Sequence, residues 1–330
     1  MTMLHERLAN LPTGDTAASD AVHERAANVL RPSGSLAWLD EIAAWVAGWQ
    51  RTSAPRVEQP AALIFAADHG VAAATEVSAY PTGVTEAMFA AYNDGRSTIS
   101  AFARIAGATV TAIDVGIGQP TGDIRLEPAM TEERFNSVVQ TAFDAVDRLD
   151  CDLLVLGEMG IGNTTVSAAI AAALEGGETA VWVGRGTGVD DEGLDRKRAA
   201  VKQSVRRIAG ITDPIEILRE VGGAEIAALT AATLAARLRS IPVVLDGYVV
   251  TTAALPLASI DPAAIDHCTV GHCSAEPGHR KLLERLGKRP LLDLDMRLGE
   301  GSGAMAAVPL IAMACAGITD VPTFGEWFGE

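Results

Sequence analysis

The feature that most constrains the fold is a repeated alternation between short apolar runs and longer segments with helical spacing. Each run has the length of a buried strand, and each intervening segment is long enough to form a helix that covers a sheet. This alternation predicts an α/β fold with a mostly parallel sheet, covered by helices on both faces. The predicted strands are Ala61–Ala67, Thr109–Ile113, Leu153–Leu156, Ala180–Val183, Val243–Leu245 and Leu291–Leu294.

The segment before the first apolar run is predicted to be helical and to lie outside the sheet. Ser35 is placed to cap a helix, and a polar, proline-containing stretch from Arg51 to Pro60 marks a boundary after it. A second helix start is predicted at Asp213-Pro214, a capping residue followed by proline at the first helical position. The apolar positions of the first helix recur at helical spacing: Leu39, Ile42, Trp45, Val46 and Trp49.

Three glycine-rich loops are predicted at strand-to-helix turns, where parallel sheets bind their ligands. One alone indicates no more than a tight turn, but three together favour a nucleotide-sized ligand held by backbone N–H groups. The chain has neither the dinucleotide motif G-x-G-x-x-G opening a first βαβ unit nor a P-loop. The loops are GEMGIGNTT (157–165), GRGTGVDDEG (184–193), which precedes a basic helix from Leu194 to Arg207, and LGEGSGA (298–304), which opens the last helix.

Two carboxylates stand inside these loops, Glu158 and Glu300. A carboxylate beside a phosphate is unfavourable unless it contacts ribose hydroxyls or removes a proton. The alternative for each is a partner of a helix N-terminus, which is weaker for Glu300 because glycine flanks it on both sides. Lys197 and Arg198, on the basic helix, either reach back to a phosphate or form a solvated face.

The segment after the first strand, AADHGVAAATEVSAYPTGVT, carries further candidates. Asp68 and His69 are adjacent in sequence, which favours structural hydrogen bonds over a catalytic pair. Tyr80 and Pro81 either wall an aromatic slot or pack within their own loop.

Cysteine and histidine usage argues against a metal centre and against a disulfide framework. The four cysteines are sparse for a chain of 330 residues. His267-Cys268 and His272-Cys273 do not have the spacing of a zinc pair, and no second pair of ligands stands nearby in the sequence. We therefore expect no metal site and no cofactor.

Charge and hydropathy indicate small-molecule rather than macromolecular partners. The net charge of −16 repels nucleic acid and anionic membrane surfaces. The N-terminus, MTMLHERLAN, carries no signal-peptide pattern. The longest apolar stretch, Ala304 to Ile318, is shorter than a membrane span and contains Pro309. A cytoplasmic location is expected.

The loops, in this order, resemble those of the nicotinate-nucleotide–dimethylbenzimidazole phosphoribosyltransferase family, which acts in cobalamin lower-ligand synthesis. The resemblance runs from about Ala61 to Ala304, and GEMGIGNTT, GRGTGVDDEG and GHCSAEPGH together are very specific. The matching stretches are AADHGVAAATEVSAYPTGVT, AIDVGI, GEMGIGNTT, VGRGTGVDDEGLDRK, LDGYVVTTAAL, GHCSAEPGHRKLLERLG and LLDLDMRLGEGSGA.

The resemblance implies a reaction and an architecture. Nicotinate mononucleotide would donate its 5-phosphoribosyl group to 5,6-dimethylbenzimidazole with inversion, giving α-ribazole 5′-phosphate and nicotinate. The fold would be a Rossmann-like large domain, residues 56–302, with a small helical domain formed by both chain ends, residues 1–55 and 303–330. The protein would be a homodimer.

The resemblance also implies roles for individual residues. Glu300 matches the general base that takes a proton from the benzimidazole nitrogen. The family often has Gln three residues after Val84, or close by, whereas the local residue here is Glu86, which would affect the choice of base. The other substrate-binding candidates are Glu158, Gly160, Gly186 and Lys197 around ribose and phosphate, Ser78, Tyr80 and Met88 in the segment that lines the base pocket, Leu298 near the catalytic loop, and also Asn163, Thr164, Thr187, Gly188 and Glu86.

The residues agree with this chemistry, since nicotinate leaves without pyrophosphate and so without need of a magnesium clamp. Two alternatives stay open at this level. One is a related phosphoribosyltransferase that uses another aromatic base, such as another benzimidazole, a purine or a phenol. The other is a nucleotide-binding module without catalysis, against which Glu300 argues.

Overall fold

The chain forms one six-stranded sheet in the computed structural model, which describes residues 3–329. The strands are β1 (Pro60–Ala67), β2 (Thr109–Gly116), β3 (Leu153–Met159), β4 (Val243–Leu245), β5 (Cys268–Cys273) and β6 (Pro290–Asp293). Every neighbouring pair is parallel, in the order β2-β1-β3-β4-β5-β6. The α/β class with a parallel sheet, predicted from the alternation, is confirmed.

Helices cover both faces of this sheet. They are α1 (Met3–Arg7), α2 (Thr16–Asn28), α3 (Trp38–Gln50), α4 (Gly70–Ala74), α5 (Val84–Asn93), α6 (Thr98–Ala106), α7 (Glu132–Asp147), α8 (Asn163–Glu175), α9 (Asp191–Arg207), α10 (Pro214–Val221), α11 (Ala224–Leu238), α12 (Tyr248–Ile260), α13 (Pro277–Leu286), α14 (Ser302–Thr319) and α15 (Phe324–Phe328). Two 3-10 helices, Thr179–Trp182 and Pro262–Ile265, lie between them.

The core has two parts, one on each face of the sheet, because side chains of a strand alternate between faces. In β1, Leu63 and Phe65 join the cluster formed with α7, α8, α11 and α12. Ala62 and Ile64 join the opposite cluster, formed with α3, α6 and α14. Both faces are therefore covered, which explains why β1 is buried along its whole length.

One predicted strand is wrong and one strand was not predicted. Ala180–Val183 falls mostly in the 3-10 helix Thr179–Trp182, where Trp182 is buried and its indole N–H donates to the Gly176 carbonyl oxygen. A four-residue apolar run cannot be distinguished from a helical turn by periodicity. β5 was not predicted, because its sequence, CTVGHC, is not a continuous apolar run. The GRGTG loop thus follows a 3-10 helix, not a strand.

Of the two predicted helix starts, one is confirmed and the other is wrong. Asp213 caps α10 as predicted, with its carboxylate accepting from Ile215 N and Glu216 N. The prediction for Ser35 is wrong: α3 begins at Trp38 after Ala37, which makes no side-chain cap bond. Ser35 instead donates its backbone N–H to the Pro32 carbonyl in a turn. The helix opened by LGEGSGA is α14, and it is followed by the short α15.

The apolar stretch near the C-terminus belongs to α14, which is longer than that stretch. Its 18 residues make it the one helix among residues 3–329 that is long and apolar enough to cross a membrane. More than half of it, 56%, is buried inside the protein, and Val308 and Ile311 pack in the core. These contacts are those of a core helix.

Candidate active site

A central cavity lies at the carboxyl edge of the sheet, where the loops after β3, β4, β5 and β6 meet. This is the edge at which a parallel sheet binds its ligands. The cavity is lined by Val77, Ser78, Glu158, Met159, Gly160, Ile161, Gly162, Asn163, Thr164, Gly186, Thr187, Asp246, Gly247, Tyr248, Val249, His272, Ser274, Glu276, Arg297, Leu298, Gly299 and Glu300.

Glu300 stands at the centre of an unusual turn. Gly299, Glu300 and Gly301 have φ of +85°, +67° and +86°, so three successive residues are left-handed. We call residues 299–301 the Glu300 turn. Glycine adopts this conformation readily, whereas a residue with a Cβ does so at a cost of about 1–2 kcal/mol. The flanking glycines thus leave Glu300 as the single strained residue of the turn.

The Glu300 carboxylate has a hydrogen-bond partner for only one of its two oxygens. The backbone N–H of Ile99, in the first turn of α6, donates a hydrogen bond to it. Its Oε2 atom is buried and has no hydrogen-bond partner among the described residues. Burial raises the pKa of Glu300 to about 7, opposed by the Ile99 hydrogen bond and reinforced by the charge of Asp246. Such a group can accept a proton near neutral pH.

Glu158 is the second acid of the cavity and extends from the end of β3. The side-chain amide of Asn163, at the start of α8, donates to its Oε2. Burial, reinforced by the nearby carboxylates of Glu225 and Asp246 and opposed by the Asn163 hydrogen bond, raises the pKa of Glu158 to about 8. Near neutral pH this acid carries a proton for much of the time and can donate a hydrogen bond.

The loop between Glu158 and α8 packs against a buried pair of side chains, His69 and Glu225. His69 Nε2 and Glu225 Oε1 are 2.9 Å apart, and both side chains are fully buried. Gly160 lies on this pair, since a Cβ there would come within 2.7 Å of His69 Nε2. Glycine at 160 therefore lets the loop approach the His69–Glu225 pair closely, so that the N-terminus of α8 faces the cavity.

Lys197 lies beneath the cavity rather than on its wall. Its side chain is 1% exposed, and its Nζ donates to Thr164 Oγ1 at 2.8 Å. Burial lowers the pKa of Lys197 to about 8, opposed by the charge of Glu276. The cation is thus close to the N-terminus of α8, an arrangement that favours binding of an anion. Arg198 instead points outward and pairs with Asp195.

The GRGTG loop is fixed by two neighbouring segments. Gly186 N donates to Glu276 Oε1 at 2.8 Å, and Gly186 O accepts from Arg297 at 3.3 Å. Thr187 Oγ1 lies 3.4 Å from Ser78 Oγ. The loop therefore closes one side of the cavity against the segment that follows β1.

The structure brings most of the predicted site residues together. Tyr80 and Gly188 line a neighbouring cleft that shares Ser78 with the central cavity. Met88 packs against the core cluster of α3 and α14, and Glu86 is exposed on α5. The predicted residues that line the central cavity are Ser78, Glu158, Gly160, Asn163, Thr164, Gly186, Thr187, Leu298 and Glu300.

Asp68 and His69 do not face each other. Asp68 Oδ2 accepts from Gly118 N at 2.8 Å, while His69 pairs with Glu225. Both make structural hydrogen bonds, as predicted.

The His and Cys residues near β5 point in different directions. His267 Nε2 lies 2.9 Å from the Thr233 carbonyl oxygen, whereas His272 Nε2 lies 3.4 Å from Asp246 Oδ1. Among residues 3–329, no group of three or more His, Cys, Asp or Glu side chains is arranged to hold a metal ion.

The sequence matches the phosphoribosyltransferase family model DBI_PRT over residues 11–327. A Mesorhizobium japonicum protein named nicotinate-nucleotide–dimethylbenzimidazole phosphoribosyltransferase is 48% identical over 318 residues, which are 96% of this chain and 94% of that protein. The chain belongs to that phosphoribosyltransferase family. A Methylocella silvestris protein of the same name is 47% identical over 320 residues, covering 97% of this chain and 93% of that protein.

Solved structures of family members have the same fold. The crystal structure of CobT from Thermus thermophilus is 39% identical and superposes with a TM-score of 0.90, covering 94% of this chain and 98% of that one. A second crystal structure, of the phosphoribosyltransferase from the same organism, has a TM-score of 0.88 at 38% identity and covers 96% and 99% of the two chains.

Several cavity residues of this family member were not predicted from the sequence. Asp246 follows β4 directly, and His272 lies at the end of β5. The position of Asp246 at the carboxyl end of a predicted strand was an available signal. His272, Ser274 and Glu276 stand in the GHCSAEPGH stretch, where His272 and the neighbouring Cys273 were considered only as metal ligands.

Proposed function

We propose that this protein transfers the 5-phosphoribosyl group of nicotinate mononucleotide to 5,6-dimethylbenzimidazole, giving α-ribazole 5′-phosphate and nicotinate. The proposal is supported by the identity of 48% to a protein of that name along almost the whole chain. It is also supported by a cavity at the carboxyl edge of the sheet that contains an acid able to accept a proton near neutral pH.

Proton removal is assigned to Glu300. One benzimidazole nitrogen forms a bond to the anomeric carbon while the bond from that carbon to the pyridinium nitrogen breaks. Nicotinate leaves with the bonding electron pair, and the second benzimidazole nitrogen releases its proton to Glu300. The observation that carries this assignment is the buried, unpartnered Oε2 of Glu300 on the cavity wall. A general base contributes about 10²–10⁴-fold.

The remaining predicted residues are assigned to binding. The N-terminus of α8, with Asn163 and Thr164, would hold the phosphate, and Lys197 would add positive charge through Thr164. Glu158 would donate a hydrogen bond to a ribose hydroxyl. The other assignments are Gly160, Gly186, Thr187 and Gly188 near the nucleotide, and Ser78, Tyr80, Glu86, Met88 and Leu298 near the base.

The domain division and the assembly are also proposals. We infer a large domain of residues 56–302 and a small helical domain of residues 1–55 and 303–330. Contacts between the ends support it, since Arg25 pairs with Glu326 and Leu30 N donates to Pro322 O. A homodimer is supported by the exposed aromatic side chains of α15, Trp327 and Phe328. We place the enzyme in the cytoplasm, acting on small molecules without a cofactor.

The test is direct. The purified protein is incubated with nicotinate mononucleotide and 5,6-dimethylbenzimidazole, and products are followed by liquid chromatography with mass spectrometry. We expect α-ribazole 5′-phosphate and nicotinate in equal amounts. Product with a purine or phenol but not with dimethylbenzimidazole would assign a different acceptor. Nucleotide binding with no product from any base would contradict the catalytic function.

A further inference from the structure

The Asp246 carboxylate accepts two hydrogen bonds from backbone N–H groups that follow Glu300 in the chain. Asp246 follows β4 directly and is 1% exposed. Its Oδ2 accepts from Gly301 N at 3.2 Å, and its Oδ1 accepts from Ala304 N at 2.8 Å. One carboxylate therefore binds the residue next to Glu300 and also the first turn of α14.

The Glu300 turn needs such support. A non-glycine residue in a left-handed conformation persists only where its surroundings hold it there. Within the turn, Ser302 donates from both its backbone N–H and its hydroxyl to the Gly299 carbonyl oxygen, at 3.0 and 2.7 Å. These bonds close the turn on itself but do not attach it to the sheet, whereas the Asp246 bonds do.

We propose that Asp246 is a positioning residue that attaches the Glu300 turn to the sheet and so holds the Glu300 carboxylate between the start of α6 and the cavity. This inference rests on the proposed transfer reaction, in which Glu300 is the base. Asp246 acts through Glu300, since both of its oxygens accept from backbone N–H groups at the N-terminus of α14 and its Oδ1 also lies 3.4 Å from His272 Nε2.

The ionisable groups near the Glu300 carboxylate come from four elements. Asp246 and Glu158 are the neighbouring carboxyls, at the ends of β4 and β3. The Tyr92 hydroxyl, on α5, is buried within the field of Glu300 and Glu158. His272, on β5, faces Asp246. The negative charge of Asp246 raises the pKa of Glu300, so neutralising Asp246 should lower it.

The experiment uses Asp246→Asn in the full-length enzyme. An amide retains the shape but loses the charge and sets an NH₂ group against a backbone N–H. We expect turnover to fall about 10²-fold, the effect of a displacement of roughly 1 Å in a catalytic group. We also expect the acidic limb of the pH profile of kcat/KM to move to lower pH, a change that a purely structural role would not produce.

A double variant separates positioning from independent effects. If Asp246 acts through Glu300, then Asp246→Asn combined with Glu300→Gln is no slower than Glu300→Gln alone, measured in single turnovers with excess enzyme. An unchanged acidic limb together with losses that multiply would overturn the proposal. Asp40→Asn is the matched control, because Asp40 is similarly buried but pairs with Arg31 far along the chain from the cavity residues.

Separate controls distinguish a loss of folding from a loss of function. All variants are prepared with nicotinate mononucleotide, which stabilises the folded state by mass action, and are compared by circular dichroism. If Asp246→Asn does not fold, Asp246→Ser, which lacks the opposing NH₂ group, is subjected to the same two measurements and the same criteria. Absence of product from the unmodified enzyme would instead overturn the proposed function, and this inference with it.

Discussion

Gly157 lies directly against the backbone carbonyl of Glu300. A Cβ on Gly157 would come within 2.3 Å of the Glu300 oxygen and within 2.8 Å of Gly301 N. Both atoms belong to backbone that Asp246 holds in place. At Gly157 the third strand therefore meets the Glu300 turn backbone to backbone, and only glycine permits this approach.

Substitution of Gly157 by alanine should displace the Glu300 turn. We expect Gly157→Ala to reduce turnover about 10²-fold, because a shift of roughly 1 Å misplaces the base. Turnover is measured by product formation and folding by thermal denaturation. Gly14→Ala is the control, since a Cβ at Gly14 would meet Trp49 at ordinary contact distance, 3.5 Å. Equal activity of the two variants would show that the turn can move without cost.

Removal of the Glu300 carboxylate should abolish most turnover and leave nucleotide binding intact. We expect Glu300→Gln to reduce kcat about 10²–10⁴-fold while calorimetry still shows binding of nicotinate mononucleotide. In the unmodified enzyme the base must be ionised, so kcat/KM should rise as the pH rises through about 7, the pKa of Glu300. Glu41→Gln, on the exposed face of α3, serves as control. Full turnover in Glu300→Gln would remove this residue from the mechanism.

Lys197 should determine affinity for the anionic nucleotide. We expect Lys197→Met to raise the KM for nicotinate mononucleotide about 10-fold or more, the effect of losing a charged hydrogen-bonding group. Because burial lowers the pKa of Lys197 to about 8, KM in the unmodified enzyme should rise above that pH and should not do so in the variant. Lys202→Met, exposed on the same helix, is the control. A KM that is equal in both variants would place the phosphate elsewhere.

Glu158 should make the protein less stable as the pH rises. Burial raises its folded pKa to about 8 from 4.5, so the folded protein retains a proton that the unfolded chain releases within this window. Its contribution to the free energy of unfolding is present below pH 4.5 and is lost as the pH rises through about 8. Urea denaturation of Glu158→Gln across this window should show a smaller decline than the unmodified protein. An identical decline would indicate that Glu158 is ionised in the folded state.

The sequence predicts the sheet and its loops better than it predicts the hydrogen bonds that hold those loops in place. β1 and β3 were predicted because both are continuous apolar runs, and in β3 a glycine-rich turn follows the run. Ala180–Val183 was wrong because a short apolar run has no decisive period. Asp246 was missed as a site residue since its partners, Gly301 and Ala304, are far away in sequence and bind it through backbone N–H groups. Contacts of this kind leave no periodic signal.

The left-handed conformation of Glu300 also bears on attempts to engineer this chain. Its cost of about 1–2 kcal/mol is a sizeable part of the 5–15 kcal/mol by which proteins are usually stable. Glycine at position 300 would recover some of that cost and discard the carboxylate. A selection that rewards heat resistance alone would therefore tend to enrich inactive proteins, and a useful screen must score product and melting temperature together.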